Sequence, residues 1–385
     1  MNTKNKLATA VSIALLTVSG ASTAEVTLYD YTEATSAYED AYLTGSFSAN
    51  DGNGFDQSSY SAALGFDAER VFSSASRNTT IEADAAGSIS RGSADGANSV
   101  SYFDAGIAGQ VDTYFRPNSK GAFWFGAASL DAEKDQEDFG SAVGVGLGYG
   151  RVVNATPMAK AIRLVEALRV QGALKSVPST AAHQQIANII NNETAYKSKH
   201  GFDVYEQYWF ADMEKALGQG QLGAGAIIKA YDVLTNEYFT TRKIGWKVQA
   251  GVGVELSRID GEDGGDPTVT LAGEYHKPLN RKTQFSNEAE LVTDYGDDNG
   301  YDFENVMTLT YELSDKIDWE NSWTLTSVDS GVSGTDNTTN NYLSSAFSYE
   351  LDNQLDLGLV ATITDLDGAD DLDTSLNFNV GYRLR

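Results

Sequence analysis

Acidic side chains set into alternating segments are the main chemistry this sequence offers. Glu255, Glu274, Glu288, Glu290, Glu304, Glu312, Asp318, Glu320 and Asp356 occur where apolar residues take every second position. Thr268, Thr270, Thr308, Thr310, Thr324 and Thr326 lie among them, and Lys247 and Arg383 are the main opposing charges. A low-dielectric wall carrying one sign of charge focuses its field, so such a face enriches cations and excludes anions. The plainer reading is that any enclosed polar face needs hydrated residues, and that some of these acids sit in loops.

Nucleophilic chemistry has fewer candidates. The histidines are His183, His200 and His276. His276 stands beside Glu274 and several threonines, but spacing alone puts no Ser or Asp next to it, so no reaction is implied. The run Val143-Gly144-Val145-Gly146-Leu147-Gly148-Tyr149-Gly150 places four glycines on one strand face. No Lys-Ser/Thr follows, so it is not a phosphate loop. Either the glycines relieve curvature in a tight wall, or they leave room for a docked element. Asp-rich stretches such as Asp263–Asp266, Asp297–Gly300 and Asp365–Asp371 offer hard oxygen ligands to divalent cations. They read first as turns, and Asp365–Asp371 lacks the glycine and closing glutamate of an EF-hand.

The elements that must hold these residues are strands. In the segment from residue 244, Ile244, Trp246, Val248, Ala250, Val252, Val254 and Leu256 point one way, and Lys247, Gln249 and Glu255 the other. The spacing predicts fourteen strands: 42–49, 57–67, 78–90, 98–115, 119–130, 140–153, 238–258, 267–276, 282–295, 302–313, 316–327, 340–351, 354–364 and 373–384. Long strands with tight turns and Gly, Ser, Thr and Asn opposite the apolar face match a barrel with lipid outside and a polar lumen. An even count places both termini at one end. With the N-terminus periplasmic, the acidic and mostly longer connections face outward, and the short, often basic ones face inward.

Between strands six and seven the period changes to that of a helix. Thr156-Pro157 reads as an N-cap and first helical position, Met158 to Leu168 as an apolar stripe, and Gly172 as a stop. Further helices are expected over 180–191 and 205–217, and 221–234 leans the same way. Lys160, Arg163 and Arg169 on the first, with Tyr205, Tyr208, Trp209 and Phe210 on the third, make either a partner surface or a helix-packing core. This block should lie at the periplasmic mouth, and each helix is too short to stand alone.

Composition narrows the class. The chain has 385 residues, 27 Lys+Arg against 54 Asp+Glu, and no Cys. That balance excludes nucleic-acid binding, disulfide scaffolds, thiolate metal sites and cysteine nucleophiles. Lys4 and Lys6, the apolar stretch Leu7–Val18 and Ser22-Thr23-Ala24 form an export signal over 1–24. Its removal leaves a net charge of −29.

With that signal, those strands and the terminal Leu376–Arg385 segment, the chain resembles a Gram-negative outer-membrane β-barrel, porin-like, of no particular family. Members commonly end in a strand read by the barrel assembly machinery. Asn379, Gly381, Tyr382 and Leu384 are similar to that pattern, whereas Arg385 stands where an aromatic is usual. The expected organisation is therefore a signal (1–24), a first barrel part (25–153), a periplasmic helical insert (154–237) and a second barrel part (238–385). The resemblance implies outer-membrane lipid, lipopolysaccharide and the assembly machinery as partners, and carries no cofactor or functional residue. The expected function is passive diffusion of small hydrophilic solutes, cations or neutral molecules favoured. The alternatives are an export or assembly barrel whose helices plug the pore or dock a periplasmic partner, and a structural or adhesive surface barrel.

Overall fold

Alternation becomes a closed wall. The computed structural model describes residues 26–32, 35–51, 56–136, 138–236, 239–258, 265, 267–295, 299–314, 316–332, 334–351, 355–369 and 371–383. Fourteen antiparallel strands pair in sequence order, and the last returns to the first. They are β1 (Ser36–Asn50), β2 (Ser59–Ser73), β3 (Arg77–Arg91), β4 (Val100–Tyr114), β5 (Ala122–Glu133), β6 (Gly140–Asn154) and β7 (Lys243–Ser257). The ring continues through β8 (Pro267–Pro278), β9 (Thr283–Asp294), β10 (Tyr301–Ser314), β11 (Ile317–Asp329), β12 (Thr338–Glu350), β13 (Leu355–Asp365) and β14 (Asp373–Arg383). Every expected strand forms, with ends displaced by a few residues. The Ser- and Ala-diluted strands β1 to β3 each run 15 residues, because ladders on both sides satisfy the backbone of β2 and β3, and β1 pairs along its whole length with β2. The export signal lies outside the described residues.

Register fixes the faces. Trp246, Val248, Val252 and Leu256 are exposed on the exterior, as are Leu64, Ile107, Leu147, Leu359 and Phe378 on other strands. Trp124, Tyr149, Trp246 and Tyr275 are also exposed, near the ends of their strands closest to the helices. The Tyr149 and Trp246 rings stack at 5.9 Å. An apolar band with interfacial aromatics is what a lipid-facing wall requires. Among the described residues the closing seam is the shortest one. β14 pairs with β1 over four residues, Tyr42–Arg383 to Gly45–Val380, where β1 and β2 share fifteen. Tyr382 faces outward between Leu43 and Leu355. Leu384 and Arg385 lie outside the described residues, as does the side chain of Arg383.

Between β6 and β7 the chain leaves the wall as α1 (Thr156–Val170), α2 (Thr180–Asn191), α3 (Glu193–His200), α4 (Tyr205–Leu217), α5 (Ala224–Tyr231) and a π-helical turn, Asp232–Asn236. Pro157 opens α1 as expected, but Ala155 rather than Thr156 takes the cap position. The Thr156 hydroxyl is used elsewhere, accepting the Arg242 N–H at 2.9 Å, while Asn154 Oδ1 accepts the Thr156 N–H at 3.0 Å. Gly172 ends α1 at φ +74°, the left-handed region that glycine adopts without a Cβ clash. α3 was not expected, since Glu193–His200 carries no apolar stripe and buries no residue. Polar contacts hold it instead: the Tyr196 hydroxyl donates to Asp212 at 2.7 Å, and Tyr205 donates to Glu193 at 2.8 Å. Burial and the adjacent Asp212 carboxylate push the Tyr196 hydroxyl up to about 12, so it remains a donor across the physiological range.

One core holds the insert together. Met158, Leu164, Leu168, Ile186, Trp209 and Val233 are fully buried, and Trp209 Nε1 donates to the Ile189 carbonyl at 2.9 Å. Each such side chain contributes about 1.5–3 kcal/mol of transfer energy. Val153, Phe239 and Ile244 at the strand ends join the same core, as do Leu28 and Tyr31 from the chain preceding β1. The insert also crosses the barrel. Glu166 of α1 pairs with Arg281 in the β8–β9 turn at 2.9 Å. Gln184 of α2 bonds both backbone groups of Thr32, just before β1. In a ring of fourteen, β8 lies seven strands from β1, so these contacts span a diameter of the mouth.

Candidate functional site

The inward faces enclose a cavity of about 940 Å³ along β2 to β10. Among the described residues ten acids line it: Glu69, Glu82, Asp112, Glu255, Glu274, Glu288, Glu290, Asp294, Asp302 and Glu304. The lining cations are two, Lys243 and Lys247. Register sets several of the acids directly opposite one another across neighbouring strands: Glu69 with Glu82, Glu274 with Glu288, and Glu290 with Glu304. Like charges directly opposite destabilise a sheet, so a wall that repeats the arrangement gives up stability for its field.

Of the acids expected inside, Glu255, Glu274, Glu288, Glu290 and Glu304 line this cavity with Lys247. Glu312 and Glu320 also point inward but do not line it. Glu320 accepts from the Thr310 hydroxyl at 3.3 Å. Glu312 is tied into the floor at the helical end. Arg163 of α1 and Arg242, just before β7, each reach one of its carboxylate oxygens at 2.6 Å. Their side chains are 20%, 1% and 6% exposed for Arg163, Arg242 and Glu312, so the pairing is shielded from water. The sequence shows two basic residues and an acid, yet nothing in their spacing says that they meet.

Lys247 lies 2.9 Å from Glu274 and 3.4 Å from Asp112. Lys243 lies within electrostatic reach of Glu69, Glu82, Glu274 and Glu288. Sequence reasoning missed Glu69, Glu82, Asp112 and Lys243. The signal was there as alternation, Asp67 and Glu69 against Phe66 and Ala68, but alanine and serine weakened the contrast on which such a reading rests.

The glycine face of β6 has a structural occupant. Phe123 and Phe125 of β5 turn inward and are buried, and a Cβ on Gly148 would fall within the Phe123 ring. A Cβ on Gly146 or Gly251 would meet Phe125. The bare face is therefore a seat for two aromatic rings of the wall, not a dock for the helices. Tyr114 packs on Phe123 with centroids 5.2 Å apart and donates to the Gly150 carbonyl at 3.1 Å. Gly148→Val should destabilise the barrel by about 1–3 kcal/mol through overpacking. The midpoint of urea unfolding in micelles checks it, and Phe123→Ala in the same chain should recover part of the loss because the two residues share one space.

His276 does find partners. Its Nδ1 lies 3.0 Å from the Ser286 hydroxyl and its Nε2 lies 2.9 Å from Glu274. Nε2 is 3.7 Å from Glu288 as well. Hydroxyl, imidazole and carboxylate in line is an arrangement that nucleophilic catalysis uses. Here Glu274 and Glu288 line the cavity, whereas His276 and Ser286 lie two residues further along the same inward face and outside its lining. His183 is buried in α2 and His200 stacks on Tyr208 at 3.8 Å, and neither belongs to this cluster.

The aromatic set of the insert divides. Trp209 and Tyr205 are buried in the helix core with Phe210 packed against it, whereas Tyr208 is half exposed. Lys160 and Arg163 stack over the Phe239 ring at 5.3 and 5.1 Å, so these basic residues serve the packing of insert on barrel. Asp263, Asp266, Asp297 and Asp370 of the Asp-rich stretches lie outside the described residues.

The family described as protein of unknown function DUF481 matches residues 235–351, from the end of the insert through β12. No curated protein matches the chain. Among solved structures it is similar to the translocator domain of autotransporter NalP from Neisseria meningitidis, at 8% identity and TM-score 0.30, covering 99% of this chain and 95% of that one. It is similar to Omp33 from Acinetobacter baumannii at 8% and 0.30, covering 91% and 98%. CdiB from Escherichia coli gives 7% and 0.41, covering 90% and 63%. Likenesses this distant add nothing to what the chain's own ladder establishes. Its closed sheet, apolar exterior and acid-lined interior make it a membrane-spanning β-barrel of the kind found in Gram-negative outer membranes.

Proposed function

We propose that the chain is an outer-membrane channel for small hydrophilic solutes, favouring cations and neutral molecules, with the helical insert as a cap on its periplasmic mouth. The observation that carries this reading is the ten-to-two excess of acids over lysines around the lumen cavity, with opposed carboxylate pairs in its wall. A field of that sign lowers the energy of a cation and raises that of an anion in the same space. Selectivity comes from Glu69, Glu82, Glu288, Glu290 and Glu304 by field alone, so the reading assigns no catalytic step. Lipopolysaccharide surrounds the outer end, and the strand ending in Asn379, Gly381 and Tyr382 serves assembly.

Planar bilayers with a tenfold KCl gradient test this. Open channels should reverse toward the potassium potential, which is about 59 mV for perfect selectivity. Replacing Glu69, Glu82, Glu290 and Glu304 together by Gln should bring the reversal potential most of the way to zero. An unchanged potential, or one on the chloride side, would sink the assignment.

A second reading has its own support. Val170, Phe202 and Ile228 of the insert are exposed at 86%, 71% and 70%, more than a mere lid needs. An export or assembly barrel would use such residues to hold a periplasmic partner. It predicts that Phe202→Ser and Ile228→Ser abolish co-purification of that partner and leave conduction unchanged.

A further inference from the structure

We propose that Glu274, His276 and Glu288 form a binding site for a divalent transition-metal ion of the Zn²⁺ class at the helical end of the lumen. The inference rests on the cation-favouring reading for its biological sense, although the site itself stands on geometry.

Three ligand atoms converge from two adjacent strands. His276 Nε2, a Glu274 oxygen and a Glu288 oxygen lie within 4.8 Å of one another. Nε2 stands 2.9 Å from Glu274 Oε2 and 3.7 Å from Glu288 Oε1. Zinc bonds of 2.0–2.2 Å at tetrahedral angles separate ligand atoms by about 3.4 Å, a value these two distances bracket. The wall fixes the positions, since Glu274 and Glu288 are directly opposite across the ladder and His276 follows Glu274 on the same face. A single imidazole with two carboxylates suits a borderline metal better than Ca²⁺ or Mg²⁺, which take oxygen alone.

The surroundings do what a second layer of a metal site does. With the ion on Nε2, the other ring nitrogen must carry its proton, and the Ser286 hydroxyl at 3.0 Å is placed to accept it. The ring is 1% exposed and cannot swing away, whereas Glu288 is 56% exposed and gives the ion its path from the cavity. Water from the lumen completes the coordination. Lys247 touches the other Glu274 oxygen at 2.9 Å and so moderates the affinity, as a site that must release its ion requires.

Binding is measurable without conduction. Zn²⁺ titrated into the full chain in detergent micelles, followed by calorimetry, should show one site per chain that His276→Gln weakens at least tenfold. Lys247→Gln should tighten it, and His200→Gln, half-buried against Tyr208 in the insert, should leave it unchanged. Cu²⁺ in the same site should give a paramagnetic spectrum with coupling to one imidazole nitrogen. Zn²⁺ heats indifferent to His276→Gln, or a copper spectrum without nitrogen, would overturn the site, as would fluorophosphonate labelling of Ser286. Loss of the site alongside intact cation selectivity removes the metal and spares the channel. Chloride selectivity with intact Zn²⁺ binding does the reverse.

Discussion

Replacing Glu312 by Gln should loosen the helical insert from the barrel while leaving the strands closed. Both Arg163 and Arg242 reach the Glu312 carboxylate at 2.6 Å, and its side chain is 6% exposed. Removing one partner of a buried ion pair costs about 3–5 kcal/mol, because the remaining charge stays desolvated without its counter-charge. Every 1.4 kcal/mol is a factor of ten, so the population with a detached insert should rise by roughly two to three and a half decades. Limited proteolysis in micelles reads this directly, as faster cleavage within 154–237 while the barrel fragments persist. The control is Glu166→Gln. It breaks the Arg281 pair, whose side chains are 42% and 53% exposed, and such a surface contact contributes about 0–1 kcal/mol. Equal cleavage rates in the two variants would mean that the apolar core around Phe239 and Ile244 holds the insert without the arginines.

The contrast between those two ion pairs also marks where the sequence stops being informative. Faces were legible because a strand has a strict period of two. Alternation alone sets Trp246 and Val248 against Lys247 and Gln249, and register carries that division around the ring. Helices α1, α2 and α4 were legible from their apolar stripes, and α3 was not, because Tyr196 and Lys197 hold it by polar contacts that leave no periodic trace. Pairings across the mouth were illegible for a different reason. Arg163 and Glu312 are 149 residues apart, and only closure of the barrel brings the β10 end beneath α1. The same holds for Ser286 beside His276, a neighbour set by the β8–β9 register and not by any motif. The glycine face of β6 was visible at once, yet its purpose depended on Phe123 and Phe125, two strand positions whose inward direction runs against the rule that apolar residues face lipid.

Excising residues 156–241 should convert a capped barrel into an open one and make it more cation-selective. The wall does not need the insert. β6 and β7 pair from Ser141–Ser257 down to Asn154–Lys243, and the Ala155 N–H already donates to the Arg242 carbonyl at 2.6 Å. A short Asn-Gly turn between Ala155 and Arg242 therefore joins two strands already in hairpin register. Conductance should rise from brief or absent openings to a steady level, because the contacts with β1 and with the β8–β9 turn no longer cross the mouth. Selectivity tests the division of labour. The acids around the cavity all stand on strands, so the cation-attracting field survives excision. The excised residues carry eight acids and eight bases, so their net charge is zero, but the loss of Arg163 removes one of the two arginines paired with Glu312 at the mouth. The reversal potential in a salt gradient should accordingly move further toward the potassium value. A shift toward zero would assign the selectivity to the insert, and the barrel wall would then be a passive support for it.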